Sequence, residues 1–206
     1  MAKKWSFKKS ATFTRDFLPK LMPHHRQGTL DGACGFYCVS MILDYFELCD
    51  PRHDIQDRRT MLSRSLRQLD RNDLLNKGLT ESEVHRVASV FTPKRIKSDF
   101  GPASGFGAIK KWVQGQCARG IPSILTFQPK EGPGHYAVTV GTGPDKIFLV
   151  DAADDAPEGT LYNGWLTSQR GGVIRDNFGK RIANVGPCSA VYPEGIDIGE
   201  EWWLPR

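Results

Sequence analysis

The chain has 206 residues, with 28 Lys and Arg against 23 Asp and Glu, a formal net charge of +5 and a pI near 9.0. A chain of this length buries a core without staples, and 39% hydrophobic with 25% charged residues excludes a collagen, a coiled coil and a wholly disordered chain. The longest apolar runs, such as Ile147 to Val150, fall far short of the roughly 18 to 20 residues a membrane helix needs. The basic start MAKKWSFKKS is followed by no apolar stretch and does not read as a secretory signal. Five cysteines, at 34, 38, 49, 117 and 188, include no CxxC pair. The expectation is therefore a reduced, cytoplasmic protein with free thiols and no metal site.

In chain order, residues 1–19 read as a basic N-terminal arm and residues 20–206 as one domain. A turn-rich stretch from Pro23 to Gly32 gives way to CGFYCVSMILDYFEL, which is apolar nearly all round and predicts a buried helix from Cys34, ended by Asp50-Pro51. Residues 55–76 predict an exposed amphipathic helix with a leucine stripe and arginines on the remaining faces. Thr80-Glu81-Ser82-Glu83 reads as a capping box opening a helix through about Val90. Phe100 to Gly107 is a glycine-rich loop, and Ala108 to Arg119 a further helix stopped at Gly120. The second half changes character. Ile121–Gln128, Tyr136–Gly141 and Lys146–Val150 are short β-branched runs separated by Gly, Pro and Asp, and Ser189–Tyr192 is a further strand. Helices followed by antiparallel strands place the chain in the α+β class, with a helical lobe at about 34–119 and a β lobe at about 120–206.

Three residues in this pattern can act together. Cys34 stands where a glycine-rich turn meets a helix N-terminus, whose partial positive charge favours a thiolate. On position alone it is equally a nucleophile and a buried core thiol; Cys38, one turn on, reads as core. A cysteine nucleophile needs a base held by a third polar group. Of five histidines, His24 and His25 are tandem in a loop, while His53 and His85 stand among charged residues. His135 instead follows a Gly-Pro-Gly turn and opens a strand, and the hairpin returns to end at Asp151. Such a hairpin brings the Asp end of one strand beside the His end of the other. For an oxyanion, the Cys34 backbone N–H is one donor and the Gln27 side chain a second.

The segment from Gln27 through Asp31, Cys34-Gly35 and Cys38 to Met41-Ile42 resembles the nucleophile region of papain-like cysteine peptidases of the bacteriocin-processing type. Gly120 to Phe127, Gly134-His135-Tyr136 and Val150-Asp151 resemble the same family's later strands. The resemblance runs from about Gln27 to Asp155. It implies a two-lobed papain-like fold, with Cys34 as nucleophile, His135 as base and acid, Asp151 as orienting residue and Gln27 as oxyanion donor. It also implies a bacterial peptidase acting on a peptide or protein substrate after Gly or another small residue, without a cofactor. The chain departs from the family in three ways. Asp31 is separated from Cys34 by two residues, Gln27 is one place further from Cys34 than usual, and Asp151 is followed by Ala-Ala-Asp154-Asp155 rather than Pro. Asp154 is thus a weaker candidate for the third position.

Other functions fit less well. No glycine-rich segment has the Walker or GxGxxG spacing before a helix, and the aspartates at 151, 154 and 155 lack the spacing of a calcium loop. No nucleic-acid module signature is present, although the basic arm can steer an acidic protein partner. A non-catalytic binding module on the same scaffold, and a deamidase or transglutaminase using the same three residues, stand beside the peptidase.

Overall fold

The computed structural model describes residues 16–26, 33–48, 80–90, 96–155 and 160–195. Gln27, Asp31, Cys49, His53, residues 1–15 of the basic arm and the expected 55–76 helix lie outside the described residues.

Helix α1 spans Cys34–Tyr45, and ten of its twelve residues are buried, which is what an apolar surface nearly all round dictates. It ends earlier than Asp50-Pro51: the chain turns over Phe46–Leu48, with Glu47 in the left-handed region at φ +57°. Helix α2, Glu81–Val90, opens on the expected capping box. The Thr80 N–H donates to Glu83 Oε2 at 2.8 Å, and the Glu83 N–H reaches back to Thr80 Oγ1 at 3.4 Å. Helix α3 spans Phe106–Ala118.

Seven strands are described: β1 Ile96–Phe100, β2 Ser123–Pro129, β3 His135–Thr142, β4 Lys146–Val150, β5 Gly164–Ser168, β6 Ile174–Asp176 and β7 Arg181–Pro193. Their order is β1-β7-β2-β3-β4-β5-β6, every pairing is antiparallel, and β6 pairs back onto β7. The α+β content is as expected, and the sheet closes into a barrel, which the expected antiparallel β lobe did not include. Closure follows from the thirteen residues of β7. Its first part pairs with β6 and β2, register shifts bend it, and its last five residues pair with β1. The division into helices first and strands after fails, because β1 lies between α2 and α3 in the chain. Helices α1 and α3 both pack on β3 and β7, so the core lies between these helices and the barrel wall, with Met41, Ile42, Ile109, Leu125 and Val138 at its centre.

A bulge in β3 has a use. Pairing shifts between Thr139 and Gly141, and β2 begins at Ser123, opposite Thr139, so β3 has no β2 neighbour beyond that point. Residues 16–18 take the free edge: the Leu18 N–H donates to the Val140 carbonyl at 2.9 Å and the Thr142 N–H to the Asp16 carbonyl at 2.8 Å. A Cβ on Gly141 would overlap the Phe17 ring, so glycine is needed there for close approach. Phe17 stacks on Phe148 at 5.0 Å, and residues 16–26 continue past α1 toward Asp151.

The opposed pair Ser123 and Thr139 has a further property. Both side chains are fully buried, and neither hydroxyl has a hydrogen-bond partner. An unpaired buried hydroxyl costs about 1–3 kcal/mol, whereas an apolar pair of the same shape carries no such cost. The double variant Ser123→Ala/Thr139→Val is expected to be more stable than the wild type by about 1–3 kcal/mol, measured by urea unfolding. A less stable double variant would contradict the unpaired state of the two hydroxyls.

Candidate active site

Cys34 is the first residue of α1, and the helix N-cap is Ala33, which offers no side-chain cap. The N–H groups of the first turn therefore keep their donor capacity, and the helix dipole places partial positive charge beside the sulfur. Cys34 is 3% exposed, and α1 lies along β3. His135 is the first residue of β3, opposite Phe127 of β2, whose ring meets the imidazole edge-on at 5.2 Å. Asp151 immediately follows the last residue of β4.

The register explains how the last two meet. Val150 pairs with Val138, so Asp151 falls opposite Ala137 and is the diagonal neighbour of His135 on the same face. The His135 Nε2–H donates to both carboxylate oxygens, at 2.7 Å to Oδ1 and 2.9 Å to Oδ2. Nε2 is thus committed to Asp151, and the other ring nitrogen, Nδ1, is left for the side-chain hydrogen bond to Cys34. The structure therefore brings together Cys34, His135 and Asp151. Asp151 rather than Asp154 takes the imidazole.

Burial works against a charged imidazole here. The hydrogen bonds to Asp151 and Cys34 outweigh it and push His135 from 6.5 up to about 10. Because the folded value lies above the ordinary one, the contacts of the imidazolium stabilise the fold fully below about pH 6.5 and are lost as the pH rises toward 10. The wild type is expected to lose stability across that window, and Asp151→Ala to lose less, in urea titrations at several pH values. Equal slopes in the two proteins would contradict the carboxylate's hold on the ring.

The other described cysteines are core thiols. Cys38 is fully buried on α1, and burial, with the neighbouring Cys34 and Asp151, pushes its thiol well above 9.0. Burial likewise pushes Cys117 up to about 12, and Cys188 is buried with its sulfur 3.5 Å from the Pro102 carbonyl.

Two residues that hold Asp151 escape sequence reasoning. His24 donates from Nε2 to the Asp151 carbonyl at 3.0 Å, and Asn163, in the loop just before β5, bonds the same backbone. Neither carries a spacing that would mark it. His25 bonds Asp44 Oδ2 at 2.8 Å, and Arg26 pairs with Asp155 at 2.9 Å, so the 16–26 segment is fixed to α1 and to the loop after β4. Among the described residues, no group of three or more His, Cys, Asp or Glu is placed to hold a metal ion, and no helix is long and apolar enough to cross a membrane.

No protein-family model and no curated protein matches the sequence. Among solved structures, the chain is similar to a candidate C39-like peptidase from Bacillus anthracis, with a TM-score of 0.48 and 13% identity, over 86% of this chain and 98% of that one.

Proposed function

We propose that the protein is a cysteine peptidase in which Cys34 is the nucleophile, His135 the general base and acid, and Asp151 the residue that orients the imidazole. The observation that carries this reading is the division of His135 between two partners. Nε2–H is held by Asp151 at 2.7 and 2.9 Å, while the ring's other side meets Cys34 at a helix N-terminus. In the reaction the Cys34 thiolate bonds to the substrate carbonyl carbon, and the oxygen takes up the negative charge against the Cys34 N–H, with the Gln27 amide as the second donor that the resemblance implies. Collapse breaks the C–N bond, and His135 Nδ1–H protonates the leaving amine. Water then loses a proton to Nδ1 as it attacks the thioester, which frees the acid and restores the thiol.

The substrate in this reading is a peptide or protein cut after Gly or another small residue, as in the bacteriocin-processing type. Its support is the resemblance around Cys34, with Gly35 beside the nucleophile letting a substrate backbone approach closely. The basic arm offers charge complementarity to an acidic partner. The test is mass spectrometry of peptides carrying Gly-Gly, or bulky residues at the same place, incubated with wild type and Cys34→Ser. Two fragments formed by the wild type alone, mainly after Gly, support the proposal. An intact deamidated peptide, or one joined to an added amine, would make the protein a deamidase or transglutaminase. No chemistry with either protein would leave a binding module.

A further inference from the structure

Asn163 grips both backbone groups of Asp151. Its Oδ1 accepts the Asp151 N–H at 2.7 Å, and its Nδ2 donates to the Asp151 carbonyl at 2.7 Å and to the Asp154 carbonyl at 3.1 Å. Its own N–H donates to the Leu149 carbonyl at 3.1 Å. A donor on one side and two acceptors on the other leave a single orientation for the amide. We propose that Asn163 is a positioning residue of the site, which pins the backbone of Asp151 and so sets the direction in which the carboxylate meets His135. The proposal rests on the reading of Cys34, His135 and Asp151 as the reacting group.

The need for such a residue follows from where Asp151 lies. The last β3–β4 pair is Val138 with Val150, so the ladder no longer holds the backbone at Asp151. A residue just past a strand end turns freely unless something else binds it, and a small rotation there moves the carboxylate off the ring. The carboxylate must meet Nε2 with both oxygens, and the Ala153 N–H, donating to Oδ1 at 2.9 Å, restrains only one of them. His24 restrains the carbonyl from one side. Only Asn163 binds both the N–H and the carbonyl among the hydrogen bonds described. An amide is also the side-chain type that accepts and donates side by side; a carboxylate of the same size accepts only, and would face two carbonyl oxygens.

The experiment titrates the His135 ring by NMR in full-length, histidine-labelled protein. Around that ring stand Cys34 from α1, Asp151 and Asp154 from the loop after β4, and the uncharged Phe127 ring from β2. Asn163→Ala is expected to lower the midpoint by about one unit or more, and to add nothing in the Asp151→Ala background. Asn163→Leu, which keeps the size and loses both hydrogen-bonding groups without adding a charge, is expected to lower it as well, and it carries the test if Asn163→Ala does not fold. An unchanged midpoint in a folded Asn163 variant would overturn the proposal, as would a shift that persists in full without Asp151. Iodoacetamide alkylation of Cys34, compared between wild type and His135→Ala, separates this from failure of the catalytic reading. Equal alkylation rates would sink that reading while the coupling of Asn163 to His135 stayed measurable.

Discussion

His135→Ala is expected to lower kcat/KM for peptide cleavage by about a thousandfold or more, and Cys34→Ala to remove cleavage to the detection limit, with both variants still folded. The size of the effect follows from shared work. Without the imidazole there is no partner to hold the thiolate, no acid for the leaving amine and no base for the water, so one deletion removes three functions. The fold should tolerate the loss because His135 begins β3, and its ring packs on Phe127 rather than filling the centre of the core. Purified variants assayed with the best peptide, with circular dichroism as the control for folding, check this. His135→Ala activity within tenfold of wild type would exclude the imidazole from the chemistry.

Gly186→Ala is expected to destabilise the protein by about 3 kcal/mol. Two causes add. Gly186 has φ +108°, a conformation that residues with a Cβ rarely take, and a Cβ there would overlap the carbonyl of Ala103. The obstacle is backbone, so no side chain can swing aside to relieve it. Gly186 also lies within the register shift of β7 against β2, where the strand bends on its way from the barrel toward β1. A methyl group therefore pushes the loop that leads into α3 away from the barrel wall. Urea unfolding measures the loss; a change within about 0.5 kcal/mol would show that the loop moves without cost.

Much of this arrangement was legible in the residues, and the reasons are local. The helix beginning at Cys34 was legible because its residues are apolar nearly all round, and α1 starts there and is buried, although position alone left Cys34 equally a nucleophile and a core thiol. The capping box at Thr80 is a four-residue signal that depends on nothing distant. That His135 and Asp151 lie near each other followed from one short hairpin, but their shared face depends on the β3 bulge between Thr139 and Gly141, which shifts the register by one residue and has no mark in the sequence. Closure of the sheet was not legible. It depends on β7 meeting β6, and on β1 meeting β7 some ninety residues away in pairs such as Phe100 with Ser189. Such pairings leave no short-range trace. The strand at Ile96–Phe100 is half exposed and carries Lys97, Ser98 and Asp99, so it lacks the β-branched run that marks a buried strand. Asn163 was equally silent, because a polar loop residue bonding backbone groups has no preferred spacing. Gln27, whose proposed role came from resemblance, lies outside the described residues.

The central claim is that His135 and Cys34 act as a pair, and the rate of iodoacetamide alkylation of Cys34 tests it most directly. The measurement is made at neutral pH, with labelled peptides mapped so that Cys34 is counted apart from the other cysteines. A thiolate held by an imidazolium reacts faster than a thiol without one. The wild type is predicted to be alkylated at Cys34 at least about tenfold faster than His135→Ala, with Asp151→Ala in between. Equal rates in wild type and His135→Ala would contradict the account.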